Sequence, residues 1–221
     1  PLHLHFASKE SGENIPALSV YFGTKEDKTE YNGFVGDLKP GEVIGLDKIL
    51  GEKKYEKTSI TVKEDAYVEA GSSASTNFGS SRTLDFKATK ATPDNFYRRI
   101  FLKFDISNID ASFFSANLLL NCISAEAPGE AVNVKIYECD PNSWSENSIT
   151  YNTMPSVSEG NYITTAIMAG SGQFSADLHS YILKCLEQGK TSISICLVGD
   201  NSKTPRRLTF DSREGGIAPA I

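Results

Sequence analysis

The chain has 221 residues, a formal net charge of −6, 39% hydrophobic and 23% charged residues. That length holds one large or two small domains with a real core, and the composition is ordinary for a globular protein. The acidic balance speaks against nucleic acid as the main partner, and no apolar run of about eighteen residues is present to cross a membrane as a helix.

The start, PLHLHFASKE, has neither the charged nor the apolar region of a signal peptide. A chain opening on Pro1 reads as a mature or excised fragment. Strand signals dominate from there. Alternating or β-branched runs, bounded by Gly, Asn, Pro and Ser clusters, predict strands at 2–6, 17–22, 33–38, 42–46, 58–62, 66–69, 83–87, 100–105, 113–124, 132–138, 191–198 and 207–211. The charged stretch GEKKYEK at 51–57 reads as a junction. Residues 1–57 then form a small β-rich N-terminal segment, or the end of a preceding domain, and 58–221 form the main module. In 100–105, Ile100, Leu102 and Phe104 alternate with Phe101, Lys103 and Asp105, giving one mostly apolar face. Arg98 and Arg99 stand just ahead and point to opposite faces.

One helix is predicted, over 178–188. Asp177 is its N-cap, Leu178, Tyr181, Ile182, Cys185 and Leu186 make its apolar stripe, and Gly189 fits the C′ stop. The closing GGIAPAI reads as a turn into a short last strand. This spacing of strands predicts an all-β fold, an antiparallel β-sandwich with one short α-helix.

Chemistry is sparse. Cys122, Cys139, Cys185 and Cys196 form no CxxC pair and read as buried small side chains, with one or two disulfides open in an oxidising compartment. His3 and His5 read as packing or fraying residues, His179 lies on the helix, and no Gly-x-Ser-x-Gly elbow occurs. No pair of carboxylates is marked for glycoside hydrolysis. The acidic stretch at 23–33 lacks EF-hand spacing. No catalytic residue is assigned, and the chain reads as non-catalytic.

Five ordered motifs carry a resemblance. They are DAYVEAGSSASTNFGSSRTLDF (65–86), YRRIFLKFDISNI (97–109), WSENSITYNTMP (144–155), FSADLHSYILKCLEQGK (174–190) and TFDSREGG (209–216). Together they resemble the DNRLRE domain family of disaggregatase-related repeats, which includes alginate-binding carbohydrate-binding modules, over about 58–221. Tyr151 stands where that family commonly has tryptophan, and Asp211 where it has tyrosine or serine. The resemblance implies a β-sandwich of the jelly-roll type, in an extracellular or cell-surface, multidomain protein. It also implies a preference for acidic polysaccharide. Many jelly-roll modules hold a structural calcium, for which Asp65 and Asp211 are the candidates; no other cofactor is expected.

An acidic glycan needs cations spaced to meet successive carboxylates, and arginine does this bidentately. If strands 83–87, 100–105 and 207–211 are neighbours, Lys87, Arg98 or Arg99, Lys103 and Arg207 share a face, with Asn77 and Tyr97 orienting the sugar. Alternation turns Lys87, Asp85 and Lys103 outward. The competing reading pairs the arginines with Asp85, Asp105, Asp211 and Glu214 as ordinary salt bridges. Trp144, the single tryptophan, reads with Tyr151 as a plug fixing the 140–155 loop; Tyr67, Phe78, Tyr97 and Tyr162 are the other stacking candidates. The expected function is a non-catalytic carbohydrate-binding module. Two alternatives stay open: a structural or adhesive spacer without a glycan ligand, and the C-terminal accessory part of a polysaccharide lyase.

Overall fold

The computed structural model describes residues 57–88, 96–126, 131–199 and 206–221. The four strands expected before residue 47, His3, His5 and the 23–33 stretch lie outside the described residues. Nine strands follow in chain order: β1 (Glu64–Glu69), β2 (Thr83–Ala88), β3 (Arg98–Asp105), β4 (Asn117–Ala125), β5 (Val132–Cys139), β6 (Tyr162–Met168), β7 (Gly172–Asp177), β8 (Ser192–Gly199) and β9 (Arg206–Asp211). One helix, α1 (His179–Glu187), lies between β7 and β8.

All strand pairs are antiparallel, and they divide into two sheets. One runs β6-β5-β8-β3 with β1 on the far edge of β3; the other runs β2-β9-β4-β7. Only the pair Lys87↔Arg98 joins β2 to β3 and so links the two sheets. Reading the order within each sheet gives the jelly-roll wiring, with β1 as an added strand. Period-two alternation drives the layering. Ile100, Leu102 and Phe104 of β3 and Ile193, Ile195 and Leu197 of β8 face inward, against Leu84 and Phe86 of β2, Leu118 and Leu120 of β4 and Phe210 of β9. The residues 58–62, predicted as a strand, run as a short ribbon beside the end of the chain: Ile60 and Ile221 exchange backbone hydrogen bonds at 2.9 and 3.0 Å.

Helix α1 closes one end of the core with Tyr181, Ile182 and Cys185. Asp177 Oδ1 accepts from His179 N at 2.8 Å at its start. At its end Gly189 has φ +70°, and Gly189 N and Lys190 N bond back to the Leu186 and Cys185 carbonyls, a Schellman stop. All four cysteines are buried and unpaired.

The five-stranded sheet has a second apolar side. Ala66, Val68, Phe101, Tyr137, Cys139, Cys196 and Val198 form a separate cluster on its outer face, completed by Trp144 and Ile149 from the 140–157 loop. That loop lies over the sheet like a cover. Trp144 tilts on Phe101 at 5.7 Å between ring centroids and donates its Nε1–H to Ser194 Oγ at 2.8 Å. Lys103 Nζ lies 4.6 Å from the Trp144 ring centroid, donates to the Trp144 carbonyl at 3.0 Å and to Glu64 Oε1 at 2.9 Å.

The 71–79 loop clips the cover from the side. Asn77 Nδ2 donates to the carbonyls of Glu146 and Ile149, both at 2.8 Å, and its Oδ1 accepts from Gly79 N. A Cβ on Gly79 would sit 2.0 Å from the Glu146 carbonyl oxygen, so only glycine lets the two loops approach this closely.

Two substitutions separate the parts of this cover by their cost in urea unfolding. Trp144→Phe keeps most of the ring contact and loses the bond to Ser194, and is expected to cost about 1 kcal/mol. Trp144→Ala also empties the pocket over Phe101, about 3–5 kcal/mol. Asn77→Ala, which strands two loop carbonyls, is expected to cost about 1–3 kcal/mol. Equal midpoints for wild type and Asn77→Ala would show that the clip contributes nothing.

Candidate functional site

With one outer face covered, the open face of the four-stranded sheet is the broad polar surface of the described residues. Its outward positions include Asp85 and Lys87 of β2, Arg207 and Thr209 of β9, Asn121 and Ser124 of β4, and Gln173 and Ser175 of β7, with Leu119 opposite Ser175 and Ile123 exposed beside Ser124. The register sets Lys87 opposite Arg207, Asp85 opposite Thr209, Thr209 opposite Ser124, and Asn121 opposite Gln173. Amides and hydroxyls dominate, and Ser124, Glu126, Arg207 and Thr209 line a shallow hollow of about 410 Å³.

Arg207 is the cation there that is paired with a buried carboxylate. Its Nη2 donates to Asp85 Oδ2, while Asp85 Oδ1 accepts from Thr209 Oγ1 at 2.9 Å. The Asp85 side chain is 7% exposed and the Arg207 side chain 47%. The hydrogen bond to Asp85 also lifts the Arg207 pKa further above its ordinary value. A buried carboxylate thus fixes one edge of a guanidinium whose side chain is about half exposed. Next to it, Lys87 Nζ lies 5.4 Å from the centroid of Phe96, an aromatic ring 58% exposed.

The structure divides the residues singled out from sequence into three places. Lys87 and Arg207 share the open face. Lys103, expected to point into solvent beside Phe101, is instead buried beneath the cover loop, as is Phe101, while Asp105 is exposed as expected. The alternation was right, but the outside of that sheet is itself an interior. Tyr97 is buried on the same covered side, with Arg99 stacked over its ring at 5.1 Å.

Arg98, turned the other way, bonds Glu69 at 2.8 Å, with both side chains largely enclosed. Asn77 spends its amide on the loop clip described above. Strand 100–105 belongs to the other sheet from 83–87 and 207–211, so these seven residues do not form one patch. Among the aromatics, Tyr67 and Phe78 stack on each other at 4.4 Å, Trp144 is buried, and Tyr162 is 45% exposed. Phe96 was missed in the sequence. The alternation of Phe96 and Tyr97 ahead of β3 was the available signal, since a buried Tyr97 turns Phe96 outward.

A second constellation gathers where β1 begins. Asp65 and Glu146 are both buried; Asp65 N donates to Glu146 Oε1 at 2.9 Å, and Arg213 N to Asp65 Oδ2 at 2.8 Å. Burial, reinforced by the Glu214 and Glu146 carboxylates, pushes the Asp65 pKa up to about 7. Burial raises that of Glu146 as well. Asp211 stands apart from this group. Its carboxylate accepts from Asn121 Nδ2 at 2.7 Å and Ile217 N at 3.1 Å, and it remains below the usual range because these bonds outweigh its burial.

The sequence model of carbohydrate-binding module family 96 matches residues 56–221. No curated protein sequence matches the chain. Among solved structures, "Latent aurone synthase (polyphenol oxidase) from natural source" aligns at 10% identity, over 70% of this chain and 28% of that chain, with a TM-score of only 0.29. A family match across three quarters of the chain joins a jelly-roll sandwich to a class of non-catalytic binding domains: the chain belongs to carbohydrate-binding module family 96.

Proposed function

We propose that this module holds an acidic polysaccharide on the open face of the four-stranded sheet, at the corner formed by Lys87, Arg207 and Phe96. The observation that carries the reading is Arg207, anchored on buried Asp85 yet half exposed. An arginine held in place loses little side-chain entropy when a carboxylate arrives, and its free N–H edge presents the bidentate geometry that a uronate needs. Lys87, directly opposite in the register, supplies a second charge for the same or the next sugar. Thr209, Ser124 and Asn121 supply donors and acceptors for hydroxyls.

This reading places the module in an extracellular or cell-surface protein with further domains, where such polymers are met. Of the pairs in the competing salt-bridge reading, Arg207–Asp85 and Arg213–Glu214 are present, and Arg98 and Lys103 are enclosed instead against Glu69 and Glu64.

Affinity electrophoresis and calorimetry on pectate, alginate and a neutral glucan test the proposal. Binding to an acidic polymer is expected, weakening as salt rises because exposed charges are screened. Arg207→Gln, which keeps a donor for Asp85 but removes the charge, and Lys87→Ala are each expected to weaken binding about ten-fold, about 1.4 kcal/mol. Lys103→Met is expected to lower the melting temperature and leave affinity unchanged. Failure of every acidic polymer to bind would favour a spacer without a ligand.

A further inference from the structure

Three segments distant in sequence meet at the start of β1: Asp65 itself, Glu146 of the cover loop, and Arg213–Glu214 beyond β9. One carboxylate oxygen from each of Asp65, Glu146 and Glu214 lies within 4.8 Å of the others. Asp65 is 1% exposed, and its Oδ1 is buried with no hydrogen-bond partner. Leaving a carboxylate oxygen buried without a donor or a cation is costly, so such an atom calls for a partner.

The local charge is also uneven. Three carboxylates face one guanidinium, Arg213, whose Nη2 reaches Glu146 Oε2 at 2.6 Å and Glu214 Oε1 at 3.0 Å. The fourth carboxylate nearby, Glu64, is matched by Lys103. Arg213 matches at most one of the three carboxylates when all are ionised, and it donates only its backbone N–H to Asp65, at Oδ2.

We propose that this corner binds a calcium ion through Asp65, Glu146 and Glu214, with Asp65 Oδ1 as the innermost ligand. The donors are all carboxylate oxygens, which suit a hard cation and not a soft metal. Two oxygens at about 2.3–2.6 Å from one calcium are at most about 4.6–5.2 Å apart, a span the cluster meets. Water completes the coordination on the Glu214 side, whose side chain is 29% exposed. Such an ion ties β1, the cover loop and the turn after β9 together, so its site is distinct from the glycan face at Arg207.

The whole chain, stripped with a chelator, is titrated with calcium while its melting temperature is followed. Terbium luminescence excited through tryptophan gives a second readout, because Trp144, the sole tryptophan, is two residues from Glu146. A rise of several degrees at millimolar calcium is expected, with sensitised terbium emission that calcium displaces. Asp65→Asn is expected to abolish both. Glu214→Gln, at the more exposed ligand, keeps the fold and is expected to weaken calcium binding at least ten-fold. Identical melting in calcium and chelator with no sensitised emission overturns the proposal. So does emission that Glu214→Gln leaves unchanged, since the ion would then sit elsewhere.

Discussion

The five-stranded sheet is apolar on both faces, and this one constraint orders the rest of the module. A sheet in a two-layer sandwich ordinarily buries one side and wets the other. Here Phe101, Tyr137, Cys196 and Val198 make the outer side apolar too, so it must be covered. The 140–157 loop does this with Trp144 and Ile149. A large aromatic buries about 150–250 Å², at about 25 cal/mol per Å² enough to offset the ordering of several loop residues.

Covering a sheet with a loop creates a problem of its own, because loops carry unpaired backbone groups. The chain meets it with side chains drawn from the sheet and from the facing loop. Lys103 takes the Trp144 carbonyl, Asn77 takes those of Glu146 and Ile149, and Glu64 accepts from the Glu146 N–H. A lysine buried at this position is tolerable because Glu64, the Trp144 carbonyl and the Trp144 ring share its charge. These residues also belong to the motifs that look most like a binding site in the sequence. Charge and aromaticity gathered in short segments mark the cover as readily as they mark a ligand surface.

That explains what was legible and what was not. The strands with strong alternation, β2, β3, β5, β8 and β9, are readable from period two alone, and so are the helix and its glycine stop. The strands β6 and β7 were not seen. They are edge strands whose outward positions are Ile167, Thr165, Gln173 and Ser175, so their inward residues stand out little. Phe174 to Asp177 also read as the approach to the helix. In the site, alternation correctly sorted each residue to the inside or outside of its own strand. It does not reveal which sheet a strand joins, and it does not reveal that one outside is covered. Lys87 and Lys103 were therefore grouped although they lie on different sheets, and Phe96 was passed over beside the more conspicuous Tyr97.

On the proposed reading, dividing the two outer faces this way also separates stability from recognition. On the covered face, a substitution changes buried area or strands a buried polar group, and its effect falls on folding. On the open face, the backbone is fixed by inward residues such as Leu84, Phe86, Leu208 and Phe210, while the outward side chains carry little of the fold. Asp85 is the exception that joins the two roles. It is buried, like a core residue, yet its work is to aim Arg207 outward. A face built so can change its hydroxyls, amides and charges with small cost to the sandwich, provided Asp85 and the arginine it holds change together.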